Sequence, residues 1–195
     1  MENETIKERF LGTIFGQAVG DALGLSTEFM SKQEVDRFYP NGIGDYSQIV
    51  QDDHRRRWQR GDWTDDTDMM LCILESFVAC QKVDILDIAR RFKEWMMNGG
   101  MGIGRHTYCL DDEKSMGYTL RTLGAALWAY WHATSYKEGI LKIVLSGGDA
   151  DTNAAVAGAI LGAKFGICHI PEEWKDGLLY ASMLHNKVQE FYAMV

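Results

Sequence analysis

GTIFGQAVGDALG, residues 12–24, decides the fold of this chain, because its apolar residues recur with helical spacing and its remaining residues are mostly small. The periodicity predicts a helix over Phe10–Leu25. A second stretch with the same richness in Gly and Ala runs over Ala154–Gly166. Small side chains let helix backbones approach closely. We therefore expect these two helices to pack against each other, or against other helices, at the centre of the fold.

Helical periodicity continues along most of the chain, and strand-like alternation is nearly absent. Capping-box and first-turn patterns at Ser135–Glu138 and at Pro171 mark two of the helix starts. Further helices are predicted over Met69–Cys80, Asp84–Met97, Gly117–Thr134, Tyr136–Leu145, Thr152–Phe165, Glu172–Ala181 and His185–Met194. A chain of 195 residues suits one sizeable core. The sequence therefore predicts a compact multi-helix, all-α fold, with residues 1–195 forming a single domain.

The charge balance and the cysteines indicate the class of partner and the compartment. The chain carries 20 Lys and Arg against 28 Asp and Glu, a formal net charge of -8, which disfavours nucleic acid or an anionic membrane as partner. The first ten residues are charged and lack a signal-peptide core, and no apolar run is long enough to span a bilayer. Four cysteines without CxxC spacing are typical of buried free thiols, so we expect a cytoplasmic protein.

Two short acidic clusters, WTDDTD (63–68) and GGDADTN (147–153), each precede a predicted helix. Such residues are ordinary at a helix start, where they cap backbone N–H groups and interact favourably with the helix dipole. Thr64, Asp65 and Asp66, however, supply more oxygens than a cap requires, and crowded carboxylates repel one another unless a cation is present. If the two helix starts converge, their oxygens would suit Mg²⁺ or Mn²⁺ better than zinc or copper.

Two further acidic residues, Asp21 and Glu28, lie outside the two clusters in the sequence. Asp21 lies near the end of the first predicted helix, where the dipole disfavours a carboxylate. A broken local rule of this kind often marks a functional position. Glu28 follows in a predicted loop, where a solvated acid is an equally good interpretation.

Two loops complete the pattern. The Gly100–Gly104 turn follows no predicted strand, so a dinucleotide-binding fingerprint is not supported. Its backbone N–H groups could face a phosphate, although a plain flexible loop fits equally well. The Tyr39–Asp62 segment is polar and is expected to wrap the surface, with Arg55–Arg57 as a solvated charge run or as a contact for an anionic substrate. None of the five histidines, His54 among them, shows metal-ligand spacing.

Three motifs taken together resemble the ADP-ribosylglycohydrolase family, and they occur in the family's order. They are GQAVGDALGLSTEF (16–29), WTDDT (63–67) and GGDADTNAAVAGAILG (147–162). The resemblance implies an all-α fold with a site for two Mg²⁺ or Mn²⁺ ions. It implies metal ligation by Thr64, Asp65, Asp66, Asp149, Asp151 and Thr152, catalytic roles for Glu28, Asp66, Asp149 and Asp151, and substrate contacts by Asp21, Gly100, Gly102, Ile103 and Gly104.

The chain departs from the family in its central region. Members are usually longer and carry an Asn-Gly-x-x-Met-Arg type segment that lines the substrate cleft, whereas this chain runs from Gly104 through Asp111–Lys114 into its late helices. The resemblance implies a hydrolase that cleaves ADP-ribosyl N- or O-glycosidic bonds of a protein or small-molecule conjugate. With part of the cleft absent, a catalytically impaired module that binds metal and ADP-ribose is the alternative. A homo-oligomer could supply the missing wall from a neighbouring subunit, and a structural domain stapled by metal is a third possibility.

Overall fold

In this computed structural model the backbone is described for residues 2–101 and 116–194, and the side chains for residues 4–101 and 122–194. The described residues form α-helices and short 3-10 turns without a β-strand, which confirms the all-α prediction. The α-helices are α1 (Glu2–Gly24), α2 (Lys32–Phe38), α3 (Asp65–Cys80), α4 (Ile85–Met97), α5 (Met116–His132), α6 (Tyr136–Val144), α7 (Ala150–Phe165), α8 (Glu172–Asp176) and α9 (Ala181–Tyr192).

The two helices rich in Gly and Ala, α1 and α7, cross in an antiparallel arrangement at the centre of the fold. A Cβ added to Gly16 would lie 2.2 Å from the carbonyl oxygen of Gly158, and one added to Gly20 would lie 2.0 Å from that of Ala154. No side chain fits between backbones this close, so the small residues are a steric requirement. The expected packing of the two stretches against each other is confirmed.

The crossing also fixes where the helix ends lie. Gly24, the last residue of α1, packs against the backbone of Ala150 and Asp151, the first residues of α7. The C-terminal end of one central helix therefore lies beside the N-terminal end of the other. Side chains on the first turn of α7 thus lie next to the last turn of α1.

The segment between α2 and α3 is exposed or half-buried in most of its residues, as expected of a surface loop, but the prediction is wrong for its apolar residues. Its aromatic and aliphatic residues are buried, among them Tyr39, Tyr46 and Trp58. The Tyr46 hydroxyl donates to the carbonyl of Trp174 at 3.0 Å, and the Trp174 indole N–H donates to the carbonyl of Gly44 at 2.6 Å. The polar residues of the segment thus flank a smaller number of apolar residues that pack into the core.

Two smaller expectations also change. The predicted helix Glu172–Ala181 ends at Asp176, and α9 begins at Ala181, four residues before its predicted start. Cys168 is exposed and not buried as expected, while Cys72 is buried and Cys80 half-buried; all three are free thiols, and Cys109 lies outside the described residues. No helix among the described residues has the length and apolar character needed to cross a membrane.

Candidate active site

The last turns of α1 hold the first acidic cluster in place through Asp21. The carboxylate of Asp21 accepts the backbone N–H of Thr64 at 3.1 and 3.2 Å and that of Thr67 at 3.0 Å, together with both threonine hydroxyls at 2.8 and 2.6 Å. Thr64 is the N-cap of α3, yet its own side chain makes no capping bond. A carboxylate from α1 therefore caps α3, which frees the acidic side chains of that helix from the capping role.

This capping role also explains why Asp21 is tolerated near the C-terminal end of α1. The side chain has no exposed surface, and its unfavourable position on one helix dipole is offset by the N-terminus of another. Burial raises the pKa of Asp21 to about 6, although the four bonds to Thr64 and Thr67 act to lower it. Asp21 lies beneath the acidic cluster, so the structure gives it a supporting position, and direct contact with a substrate stays a prediction.

The second acidic cluster begins α7, and it is shaped by two glycines in the left-handed region. Gly147 and Gly148 have φ values of 71° and 72°. A Cβ on Gly147 would lie 2.3 Å from the carbonyl oxygen of Met30, so only glycine fits there. Asp149 is the N-cap of α7 but makes no side-chain capping bond. The ordinary interpretation of this aspartate as a helix cap therefore fails.

The two clusters meet at the ends of α3 and α7. The side chain of Thr152 lies near enough to the carboxylate of Asp66 to lower the pKa of that carboxyl, and Asp149 lies near enough to raise it, so the two clusters adjoin. Gln17 of α1 donates to the backbone carbonyl of Asp66 at 3.1 Å and holds the same turn from the other side. Residues that are more than eighty positions apart in the sequence thus form one site, as the acidic motifs predict.

Burial and neighbouring carboxylates shift the pKa values of the acidic residues in the same direction. Burial first, and then neighbouring carboxylates with Asp21 foremost, raise the pKa of Asp65 to about 7 and that of Asp66 to about 8. Burial likewise raises the pKa of Asp151 well above its usual value, with Glu28, Asp21 and Asp66 adding to the effect. Burial, together with repulsion among the carboxylates, therefore keeps part of them protonated near neutral pH when no counter-charge is present.

The donor set fits a hard divalent cation. Asp151 is only 5% exposed, and its Oδ1 atom has no hydrogen-bond partner, although buried carboxylate oxygens are nearly always paired. Carboxylate and hydroxyl oxygens from Thr64, Asp65, Asp66, Asp149, Asp151 and Thr152 are the ligand type that Mg²⁺ and Mn²⁺ prefer. Among the side chains that the structure describes (residues 4–101 and 122–194), no three of His, Cys, Asp or Glu are grouped closely enough to hold a metal ion as they stand. Ligation by these six residues stays a prediction.

Glu28 lies at the edge of the acidic site, held by residues that the sequence did not single out. Its carboxylate accepts a bond from His54 at 2.5 Å, and its backbone carbonyl accepts one from Arg55. The charge of Glu28 contributes to the raised pKa values of both Asp65 and Asp151, which places it beside both clusters. Arg55 is buried, so the prediction of a solvated charge run is wrong for this residue.

An open cleft of about 380 Å³ adjoins the acidic site at Thr64. Trp63 and Trp95 form part of its wall, and each donates its indole N–H to a different oxygen of Asp68 at 2.8 Å. The cleft is lined by Trp58, Asp62, Trp63, Thr64, Asp68, Trp95, Asn98, Gly99, Gly100, Met101, Tyr180 and Met183. Among the residues that the structure describes, the lining combines aromatic side chains with the carboxylates of Asp62 and Asp68 and contains no Lys or Arg.

The glycine turn lies partly at this cleft. Gly100 lines it, but the N–H of Gly100 already donates to the carbonyl of Trp95 at 3.0 Å. Gly102, Ile103 and Gly104, the other predicted phosphate contacts, lie outside the described residues. Phosphate binding by the turn stays a prediction, and the amide of Gly100 is committed to the end of α4.

Comparisons with known proteins identify the family of this chain. The sequence matches the profile of the family described as ADP-ribosylglycohydrolase over residues 2–112 and 105–194. It is 22% identical over 307 aligned residues to the ADP-ribosylarginine hydrolase Tri1 of Serratia proteamaculans, with 99% of this chain and 81% of that protein covered. It is 23% identical over 284 residues to the ADP-ribosyl-[dinitrogen reductase] glycohydrolase of Rhodospirillum rubrum, with 91% and 92% covered.

Both alignments are longer than the 195 residues of this chain, so they contain long gaps on its side. Among solved structures, an ADP-ribosylglycohydrolase-related protein complex superposes with a TM-score of 0.72 at 21% identity, covering 98% of this chain and 99% of its own. At that identity the likeness shows the all-α fold alone. Because the family profile matches nearly the whole chain, on both sides of the central gap, this protein belongs to the ADP-ribosylglycohydrolase family.

Proposed function

We propose that this protein hydrolyses the glycosidic bond between ADP-ribose and its acceptor, with two divalent cations held by the acidic site. The observation that carries the proposal is the meeting of the two clusters, in which Asp65 lies close enough to raise the pKa of Asp66, and Asp66 close enough to raise that of Asp151, while Oδ1 of buried Asp151 has no hydrogen-bond partner. Crowded carboxylates raise the free energy of a fold unless a cation or another function offsets the cost. The names of the two relatives, both of which describe hydrolases of ADP-ribosylated proteins, support the same activity.

The cations would be held by Thr64, Asp65 and Asp66 on α3 and by Asp149, Asp151 and Thr152 on α7. When bound, such ions orient the ribose hydroxyls and lower the pKa of a coordinated water. The side chains themselves supply the remaining requirements. Asp21 and Gln17 keep the first turn of α3 in position, and the Gly147–Gly148 turn does the same for α7.

Hydrolysis breaks the bond from the ribose anomeric carbon to the acceptor atom and forms a bond from that carbon to a water oxygen. The water loses a proton and the leaving acceptor atom gains one, so the site needs a group that moves protons. Glu28 is the side chain at the edge of both clusters that suits this role, with Asp66, Asp149 or Asp151 as further candidates. Positive charge that develops on the ribose would be stabilised by the surrounding carboxylates.

The cleft beside Thr64 supports arginine as the acceptor. A guanidinium group is flat and always charged, and it stacks on aromatic faces while its N–H groups bind carboxylates. The half-buried indole of Trp95 and the exposed ring of Tyr180 offer aromatic faces in the cleft, and Asp62 and Asp68 offer carboxylates. We therefore propose that the protein prefers arginine-linked over serine-linked ADP-ribose.

The test is release of ADP-ribose from arginine-linked and serine-linked protein substrates, with Mg²⁺, with Mn²⁺ and with a chelator. We expect metal-dependent release, faster from the arginine linkage, that is lost in Asp65→Asn and Asp151→Asn variants with unchanged helical content. Full activity in either variant, or in the chelator, would contradict the proposal.

A further outcome distinguishes the binding module from the enzyme. The missing central segment makes a non-cleaving module the specific alternative, since part of the family's substrate wall is absent. Metal-dependent binding of ADP-ribose by calorimetry, without release from any conjugate, would establish that alternative. Stabilisation by Mg²⁺ with no binding of ADP-ribose would instead indicate a structural metal site.

A further inference from the structure

The run Asp52-Asp53-His54-Arg55-Arg56-Arg57-Trp58 passes directly beside Glu28, and its three arginines differ in environment. Arg55 is 3% exposed, whereas the side chain of Arg56 is 66% exposed and pairs only with the exposed Asp53. Arg57 lies on the surface and stacks over the ring of Trp58, with its guanidinium carbon 4.7 Å from the ring centroid. A uniform solvated charge run would not show this division.

Arg55 fixes the backbone that carries Glu28. Its Nε donates to the carbonyls of Leu25 and Ser26 at 2.9 and 2.8 Å, and its Nη2 donates to the carbonyl of Glu28. Its remaining terminal nitrogen, Nη1, binds the carboxylate of Asp52, which also accepts the N–H of Arg55 at 2.8 Å. One guanidinium thus holds three carbonyls of a single loop, a geometry that lysine cannot reproduce.

His54 fixes the carboxylate of Glu28, and Arg57 fixes His54. The Nη2 of Arg57 contacts Nδ1 of His54, and the Nε of Arg57 donates to the backbone carbonyl of His54 at 3.0 Å. A guanidinium can only donate, so Nδ1 accepts and the imidazole proton is on Nε2. That Nε2–H then points at the Glu28 carboxylate 2.5 Å away. Arg57 therefore selects the histidine tautomer that can bind Glu28.

The other side of Glu28 is held by the turn that precedes α7. The N–H of Phe29 donates to the carbonyl of Gly148 at 2.7 Å, and the N–H of Gly148 donates to the carbonyl of Met30 at 2.9 Å. Phe29 has a φ of 60°, an uncommon conformation for a bulky residue, and its ring packs on His54 with centroids 5.1 Å apart. Strain of this kind persists only where the surroundings fix the backbone.

From these contacts we infer that His54, Arg55 and Arg57 are positioning residues that hold Glu28 in one orientation toward Asp65 and Asp151. Arg55 fixes the backbone of the loop that carries Glu28, and His54 fixes the orientation of the Glu28 carboxylate. Arg57 fixes which ring nitrogen of His54 carries the proton. None of the three touches the acidic clusters in the described contacts, so their effect on catalysis passes through Glu28. The positions of these atoms are independent of turnover, but the catalytic consequence rests on the proposed hydrolase function.

The positioning itself is tested without any substrate. At pH 8, ¹⁵N NMR of the imidazole is expected to show Nε2 protonated and Nδ1 bare in the wild-type protein, and an Arg57→Leu variant is expected to lose that single tautomer. Amide hydrogen exchange is expected to lose protection at Glu28, Phe29 and Met30 in Arg55→Lys, with the amides of α1 unchanged. A proton on Nδ1 in the wild type, or unchanged exchange in Arg55→Lys, would overturn the assignment.

The catalytic consequence is tested by a graded series at His54. His54→Ala is expected to lower kcat about 10- to 100-fold with KM nearly unchanged, because a misplaced reacting group is costly while metal and substrate contacts remain. His54→Gln, whose amide can still donate to Glu28, is expected to recover part of the loss. Arg56→Gln, on the neighbouring exposed arginine, is the matched control and is expected to keep wild-type kinetics.

Equal loss in His54→Gln and His54→Ala, or a loss confined to KM, would contradict a positioning role. A wild-type protein without hydrolase activity would defeat the proposed function, while the NMR and exchange measurements would still decide whether Glu28 is held as described.

Discussion

Asp21 Oδ2 accepts hydrogen bonds from both the backbone N–H and the hydroxyl of Thr67, at 3.0 and 2.6 Å, across 46 positions of sequence. Through this contact α1 holds the first turn of α3 in position. Because Asp21 supplies the cap, Thr64, Asp65 and Asp66 have side-chain oxygens that need not bind backbone N–H groups. The buried carboxylate of Asp21 therefore caps α3 and also leaves the predicted metal ligands of that helix without a capping role.

Asp21→Ala is expected to destabilise the protein by about 2–3 kcal/mol, since two backbone N–H groups and two hydroxyls lose their acceptor. Asp21→Asn keeps one acceptor oxygen and should lose less. Urea unfolding in a chelator measures both free energies. A loss in Asp21→Ala no larger than in an exposed substitution such as Asp53→Ala would show that Asp21 does not cap α3.

Metal-free stability is expected to fall as pH rises from about 4 to about 7. The pKa values of Asp21 and Asp65 are raised to about 6 and about 7, so the folded state binds their protons more tightly than the unfolded state does. Stability from such groups is present at low pH and is lost as pH rises through the folded pKa. The shift of Asp21 alone corresponds to about 3 kcal/mol.

Urea unfolding at pH 5, 6.5 and 8 measures this effect, with a chelator and with Mg²⁺. A divalent cation favours the ionised carboxylates, so added Mg²⁺ should stabilise the protein most at pH 8. Stability in the chelator that rises between pH 5 and pH 8 would show that these carboxylates are not the dominant titrating groups.

Gly16→Ala is expected to cost more than about 3 kcal/mol, because the new methyl group would meet backbone and not a movable side chain. Gly124, on α5, is the matched control: a Cβ there would meet nothing within 4 Å. Gly124→Ala should therefore raise stability by about 0.5–1 kcal/mol through helix propensity. Thermal or urea unfolding of both variants decides, and equal effects would mean that the α1–α7 contact is not as close as described.

Asp68→Asn is expected to loosen the cleft beside Thr64. The amide offers one acceptor oxygen, so one of the two indole N–H groups of Trp63 and Trp95 would face an amide donor, at a cost of about 1–3 kcal/mol. We expect KM for an arginine-linked substrate to rise more than kcat falls. A change confined to kcat would place the cleft outside the substrate path.

The fold was largely predictable because its main determinants are local. Helical periodicity, caps and the Gly- and Ala-rich texture of residues 12–24 and 154–166 each act within a few turns, and the central crossing follows from side-chain size. The short helix Lys32–Phe38 was not predicted, although Ser31 and Glu34 form a capping box at its start. Its seven residues are too few for periodicity to stand out.

The site was predictable in its acidic residues but not in their supports. Arg55 belongs to a run of three identical residues, and sequence alone gives no reason for one of them to be buried. What distinguishes it is a set of carbonyls at Leu25, Ser26 and Glu28 that only the folded loop presents. His54 has no metal-ligand spacing, and its partner Glu28 lies 26 positions away. Contacts of this kind depend on the tertiary structure and produce no periodic pattern in the sequence.

The antiparallel crossing of α1 and α7 has a consequence for how members of this family can differ in length. Gly24, Ala150 and Asp151 meet directly, so the second acidic cluster lies against the end of α1. Asp21 of the same helix holds the first cluster at the start of α3. The described residues between α3 and the Gly147–Gly148 turn make none of these contacts. We therefore expect members of this family to vary in length there while the two helix starts stay together.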